Sequence, residues 1–154
     1  MLQKNNLTPN YFSYALYSVI FTALLFILFG SNGWGPSAAN EQAIGEISRW
    51  CERVSGGFFR EPVNTLGNLG FVVTGLYMFY KLSKDATTPK GIIMFSSSSL
   101  ALLYASASTF LGPGSMAMHG THTKFGAWLD NVSMVTYILI LWIYNLKRLS
   151  NFTQ

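Results

Sequence analysis

Four apolar stretches of bilayer-spanning length dominate what this chain can fold into. Tyr11 to Gly30 carries no charge, and none falls anywhere between Lys4 and Glu41. Pro62 to Tyr80, Gly91 to Gly112 and Asn131 to Leu146 follow, separated by polar turns such as Lys84 to Lys90. A helix needs about 20 such residues to cross a bilayer. The fourth stretch is slightly short, and Trp128 and Leu129 extend it. Only 10% of the residues are charged, against roughly 25% in a soluble domain. In lipid every backbone polar group must be paired internally, which leaves helices as the structure for such segments. The expectation is an all-α membrane bundle of about four transmembrane helices, near residues 11–30, 62–82, 91–119 and 129–148. That makes the chain an integral, multi-pass membrane protein.

The first stretch has a second reading. Lys4, the apolar run and Ser37-Ala38-Ala39 together resemble a signal peptide with its cleavage site, but the run is long for the usual 7–15 apolar residues. An uncleaved anchor fits better, so residues 1–48 read as an amino-terminal membrane anchor and linker, ahead of a second region at 49–154. Both readings send the segment from Ser31 to Glu61 to the outer side. An inside amino terminus places Lys4, Lys81, Lys84, Lys90, Lys147 and Arg148 inside, against Arg49, Arg53, Arg60 and Lys124 outside. The positive-inside rule favours that orientation. The net charge of +4 therefore reads as membrane topology. No basic stripe interleaved with aromatics is present, so nucleic acid is not an expected partner. A single cysteine, Cys51, excludes an internal disulfide framework and a cysteine zinc cluster. It reads as a small buried residue. Ser96 to Ser99 reads as helix packing inside lipid.

Chemistry concentrates where the third stretch ends and the fourth begins. Ser115 and His119 are four residues apart, which puts them on one helical face if the helix continues past Pro113. Gly112 and Gly114 allow a kink at that proline. Residues Gly120 to Ala127 read as a short loop. Asp130 then opens the fourth span and returns its carboxylate to the same membrane surface. Ionisable groups this close to lipid are a functional-site hypothesis by default. An imidazole can bind zinc, a carboxylate can orient or deprotonate a water that zinc has acidified, and a hydroxyl can steady the oxyanion of a tetrahedral intermediate. Those are the parts of an amide or ester hydrolase. The structural alternative makes Asp130 a helix N-cap and His119 a satisfied polar residue at the interface. His122 can serve as a second ligand, but solvation at the interface accounts for it more simply. A serine triad fits less well, because Gly-Pro-Gly-Ser-Met is not a nucleophile elbow.

The second informative stretch runs from Trp50 to Asn68. Glu52 and Glu61 flank a glycine turn ahead of the second span, and Pro62 suits a first helical position. Glu61 and Asn64 fall in the first turn, where the helix dipole favours a carboxylate. The functional reading is an oxygen-rich calcium site, or a shell of groups supporting a metal held elsewhere. The second span starts and the third ends at the same membrane face, so Glu61 and Asn64 should lie within one side-chain layer of His119.

Taken together, Trp50-Cys51-Glu52, Glu61-Pro62-Val63-Asn64-Thr65-Leu66-Gly67-Asn68, Gly112-x-Gly-Ser115-x-x-x-His119 and Leu129-Asp130 resemble the alkaline ceramidase family. That family sits within the superfamily of seven-span membrane hydrolases that includes the adiponectin-type receptors. The resemblance covers roughly Arg49 to Tyr144. It implies zinc-dependent cleavage of the amide of ceramide, or a related lipid amide, in sphingolipid metabolism. His119 would then be a zinc ligand, Asp130 would position the water and Ser115 would support the oxyanion. It also implies calcium near Glu52, Glu61 and the Trp50 carbonyl, although Arg49 and Val54 stand where the family places oxygen ligands. Asn64 would act in the surrounding shell.

The resemblance has a gap. The family's other two zinc ligands form a His-x-x-x-His pair on a later helix, and no such pair occurs up to Gln154. The expectation is a partial ceramidase-like domain: a fragment of a longer protein, one completed by a second chain, or one that no longer binds zinc as the family does. The first span is an addition ahead of the family core. The alternative is a small non-catalytic membrane protein whose hairpin acts as a binding or assembly module.

Overall fold

A computed structural model describes residues 10–31, 41–84 and 98–152. Every named element in them is a helix: α1 (Tyr11–Ser31), α2 (Pro62–Gly67), α3 (Leu69–Lys84), α4 (Ser98–Thr121) and α5 (Lys124–Phe152). The Ser37-Ala38-Ala39 segment, the turn after Lys84 and Ser96 and Ser97 of the serine run lie outside the described residues. Two helices are long and apolar enough to cross a membrane: α1 over Tyr11–Phe29 and α5 over Lys124–Ser150.

The chain packs in sequence order. The Phe12 amide donates to the Ser83 hydroxyl at 3.0 Å, and Phe12 meets Tyr80 edge-on. The start of α1 therefore lies at the end of α3, and the two run antiparallel. α4 packs between α3 and α5, and four glycines set how closely: Gly112 lies against Val72, and three others are as tight. A Cβ at Gly75 would overlap Thr109, one at Gly114 would overlap Ser133, and one at Gly126 would overlap the Ala117 carbonyl. Small residues let helix backbones approach this way, as they do where lipid removes any hydrophobic drive between helices. Tyr104 and Tyr137 stack across the α4–α5 seam with their hydroxyls 2.8 Å apart.

Two helix boundaries differ from the sequence reading. The helix expected over 62–82 is divided at Asn68 into α2 and α3, and α5 begins at Lys124, not near 129, whereas α4 runs through Pro113 to Thr121, close to the expected 119. The corner between them is built locally. His122 takes φ 52°, the left-handed conformation that commonly ends a helix. Its N–H still donates to the Met118 carbonyl. The Thr123 hydroxyl accepts from the Gly126 amide at 3.1 Å, an N-cap bond to the third helical residue. Asp130 thus lies in the second turn of α5 and is not its cap.

Residues 41–61 are a folded segment, not a plain linker. Gly45 and Val54, Val54 and Glu46, and Ser48 and Glu52 exchange backbone bonds around a tight turn. Cys51 takes φ 62° at that turn and is exposed, so it is not the small buried residue its apolar character indicates. The segment then docks on the end of α4. Arg60 N donates to Gly120 O at 3.0 Å and Glu61 N to His119 O at 2.9 Å. These bonds satisfy carbonyls that a helix terminus leaves without partners.

Candidate functional site

The site forms where the folded segment, the start of α2 and the α4–α5 corner meet, and its centre is Glu61. This side chain is 0% exposed. One carboxylate oxygen lies 2.6 Å from His119 Nδ1 and accepts from Asn64 Nδ2 at 2.9 Å. The other lies 3.0 Å from His122 Nε2. The Ser48 hydroxyl donates as well. Burying a carboxylate is costly unless it is hydrogen-bonded, and here four side chains supply the bonds. Burial pushes the Glu61 carboxyl up, but the bonds from Ser48, Asn64 and His119, with the His119 charge, outweigh it. The group ends below its ordinary value of 4.5.

The two histidines differ. His119 is bonded at Nδ1 only, and Trp50 meets its ring edge-on with centroids 5.0 Å apart. A carboxylate on Nδ1 orients the ring, and in the neutral form it leaves Nε2 with a lone pair. His122 is 2% exposed, so interfacial solvation does not describe it. Carboxylate oxygens face both of its nitrogens: Glu61 at 3.0 Å, and Glu41 at 3.4 Å without hydrogen-bond alignment.

Glu52 performs the task that the sequence assigns to Glu61. Its two oxygens accept from Val63 N at 2.8 Å and Asn64 N at 2.7 Å. Pro62, at the first helical position, has no N–H to offer, so one bidentate carboxylate satisfies the next two donors of α2. Glu61 occupies the N-cap position, yet its side chain makes no cap bond. The Trp50 carbonyl accepts from Asn64 Nδ2 at 3.4 Å. The three oxygen sources assigned to calcium are thus each engaged by N–H donors.

Ser115 is buried in α4, one turn before His119. Gly114 packs on Ser133 and the Leu129 carbonyl, which places Ser115 and Asp130, the next residue on each helix, at one level of the bundle. Asp130 shares a helical face with Gly126 and Ser133, and its Oδ1 is buried without a hydrogen-bond partner. Among the described residues no hydrogen bond joins Ser115, His119 and Asp130, and no group of three or more His, Cys, Asp or Glu side chains is placed to hold a metal ion.

Sequence reasoning missed Glu41 and Ser48, which sit in the region read as linker. No local signal marks them, because their partners lie far along the chain. No family model, characterised protein or solved structure matches this chain.

Proposed function

We propose that this chain is one part of a membrane-embedded, zinc-dependent lipid-amide hydrolase acting on ceramide or a related amide. The observation that carries this reading is the Glu61–His119 contact, a carboxylate bonded to one nitrogen of an imidazole, in a bundle that also buries an unpartnered Asp130 oxygen. The apolar length of α1 and α5, and exposed residues such as Leu24, Ile27, Phe29, Ile138 and Trp142, support a multi-pass bundle with lipid on its outer faces.

His119 fits a zinc ligand, but one histidine does not complete a catalytic site, which uses three protein ligands and an open position. Two further protein ligands are required, and a histidine pair supplied in trans would provide them. Zinc, when bound, polarises a carbonyl and acidifies water. The rest of the work falls to the chain itself. Glu61 holds the His119 ring in one orientation. Asp130, buried and free at Oδ1, takes the proton from the attacking water. Ser115, buried at about the same level of the bundle, would donate to the oxygen that becomes negative. Calcium at Glu52, Glu61 and the Trp50 carbonyl is a secondary proposal, because the ion must displace the N–H donors now on those oxygens.

Saturation of Glu61 by four donors favours a second reading, in which the cluster only locks the segment 41–61 to α4 in a non-catalytic membrane module. Zinc titration of purified protein separates the two. With helices carrying a His-x-x-x-His pair supplied in trans, the chain should bind zinc and cleave a long-chain ceramide. His119→Ala should abolish zinc binding. Asp130→Asn should keep the metal and lose about 10²–10⁴-fold in rate, the usual contribution of acid–base help. Cleavage by the isolated chain that survives chelation and His119→Ala would overturn the proposal.

A further inference from the structure

His122 is an unexpected residue for its place in the chain. It takes φ 52°, the left-handed conformation for which glycine is the usual choice at a helix end. The corner needs that backbone, but nothing in the backbone needs an imidazole. The side chain is nonetheless 3% exposed, with Nε2 3.0 Å from Glu61 Oε1. Trp50 packs against this ring and against that of His119. We propose that His122 is a positioning residue. Its Nε2–H holds Glu61 Oε1, which keeps Oε2 on His119 Nδ1 and leaves His119 Nε2 without a proton, ready for a metal ion. The metal half of this inference rests on the zinc-hydrolase reading, and the placement of the protons does not.

The carboxylate geometry carries the inference. Glu61 reaches two rings at once, His119 from Oε2 at 2.6 Å and His122 from Oε1 at 3.0 Å. The last torsion of a glutamate is broad, so a partner on one oxygen alone does not fix the plane of the group. Asn64 Nδ2 shares Oε2 at 2.9 Å, and the Ser48 hydroxyl also donates. Both come from the segment 41–61 and α2. Only His122 belongs to the same stretch of chain as His119, so only it ties the carboxylate plane to the ring that is being aimed.

Proton counting gives the direction. A neutral imidazole has one N–H and one lone pair. Two carboxylates face His122: Glu61 at Nε2, aligned for a hydrogen bond, and Glu41 at Nδ1, 3.4 Å away and not aligned. The single proton therefore belongs on Nε2. An ionised Glu61 only accepts, so a neutral His119 facing Oε2 carries its own proton on Nδ1. Its Nε2 is then bare, the form that serves as a metal ligand.

The chain has only two histidines, so in any His122 variant every imidazole signal belongs to His119. Nitrogen NMR of the histidine-labelled full chain in detergent, with no metal added, separates a protonated ring nitrogen from a bare one. Wild type should show His119 with Nδ1–H and a bare Nε2. His122→Phe keeps the bulk of the ring and loses the N–H, and His122→Gly suits the left-handed backbone. Both should turn His119 into a mixture of two tautomers, whereas a residue that merely ended the helix would yield to glycine without effect on His119. His122→Gln places an amide N–H where Nε2 stood and should restore the single form. Unchanged His119 signals in the Gly variant, or a Gln variant as mixed as the Gly one, would overturn the proposal. With the His-x-x-x-His helices supplied in trans, His122→Gly should weaken zinc binding about 10–100-fold, the usual loss for a group supporting a ligand, and His122→Gln should recover most of it. Tautomer control by residue 122 with no zinc bound even by wild type fails the hydrolase reading alone. Zinc-dependent cleavage with His119 indifferent to residue 122 fails this proposal alone.

Discussion

His119 Nδ1 lies 2.6 Å from Glu61 Oε2, across 58 residues of sequence, and this contact fixes both the end of α4 and the start of α2. Glu61 is completely buried, so removing it leaves His119, His122, Ser48 and Asn64 without their common acceptor. Glu61→Ala should destabilise the protein by about 3–5 kcal/mol, the usual cost of breaking a buried pair from one side. Glu61→Gln, which keeps the shape, should cost less. Thermal unfolding in detergent measures both. If the hydrolase reading holds, Glu61→Gln should also weaken zinc binding about 10–100-fold in the completed protein, as loss of an orienting partner does.

The same carboxyl sets an acid limit on stability. Its folded value lies below the ordinary 4.5, so its contribution is fully present above pH 4.5 and is lost as pH falls below 4.5 through the folded value. The unfolding temperature should therefore hold steady from pH 7 to about 5 and drop below that. Glu61→Gln should flatten the drop. Parallel curves for the two proteins would assign the acid limit to another group.

Close approach of α4 and α5 depends on Gly126, where an added Cβ meets the Ala117 carbonyl. Backbone cannot rotate away as a side chain can. Gly126→Ala should push the helices apart and cost about 1–3 kcal/mol, the range for overpacking. Gly67→Ala, where a Cβ meets nothing within 4 Å, is the control and should be neutral or slightly stabilising. Denaturant or thermal unfolding compares them.

Glu52 caps α2 from eleven and twelve residues upstream. Glu52→Ala should cost about 0.5–2 kcal/mol, the range for losing a helix cap. The effect should be local. Hydrogen exchange at Val63 and Asn64 should speed up more than at α4 or α5. Uniform loss of protection would mean that Glu52 supports the whole fold.

Sequence alone determined the features that local physics controls. Apolar length and low charge define the helices, Pro62 opens α2 at its first residue, and the order of the helices puts Glu61 and His119 at one end of the bundle. Helix boundaries were less legible at the α4–α5 corner. Gly126 obscures a helix start that Thr123 caps, and His122 ends a helix where glycine is the usual signal. Only the tertiary structure decided which carboxylate does what. Glu52 and Glu61 look interchangeable along the chain, but folding of residues 41–61 carries Glu52 to the amides of α2 and turns Glu61 onto two histidines. That folding also brings Glu41 and Ser48 to the site, buries His122 and leaves Cys51 exposed. Each outcome depends on partners far away in sequence, and a buried carboxylate must find hydrogen bonds wherever the packed chain provides them.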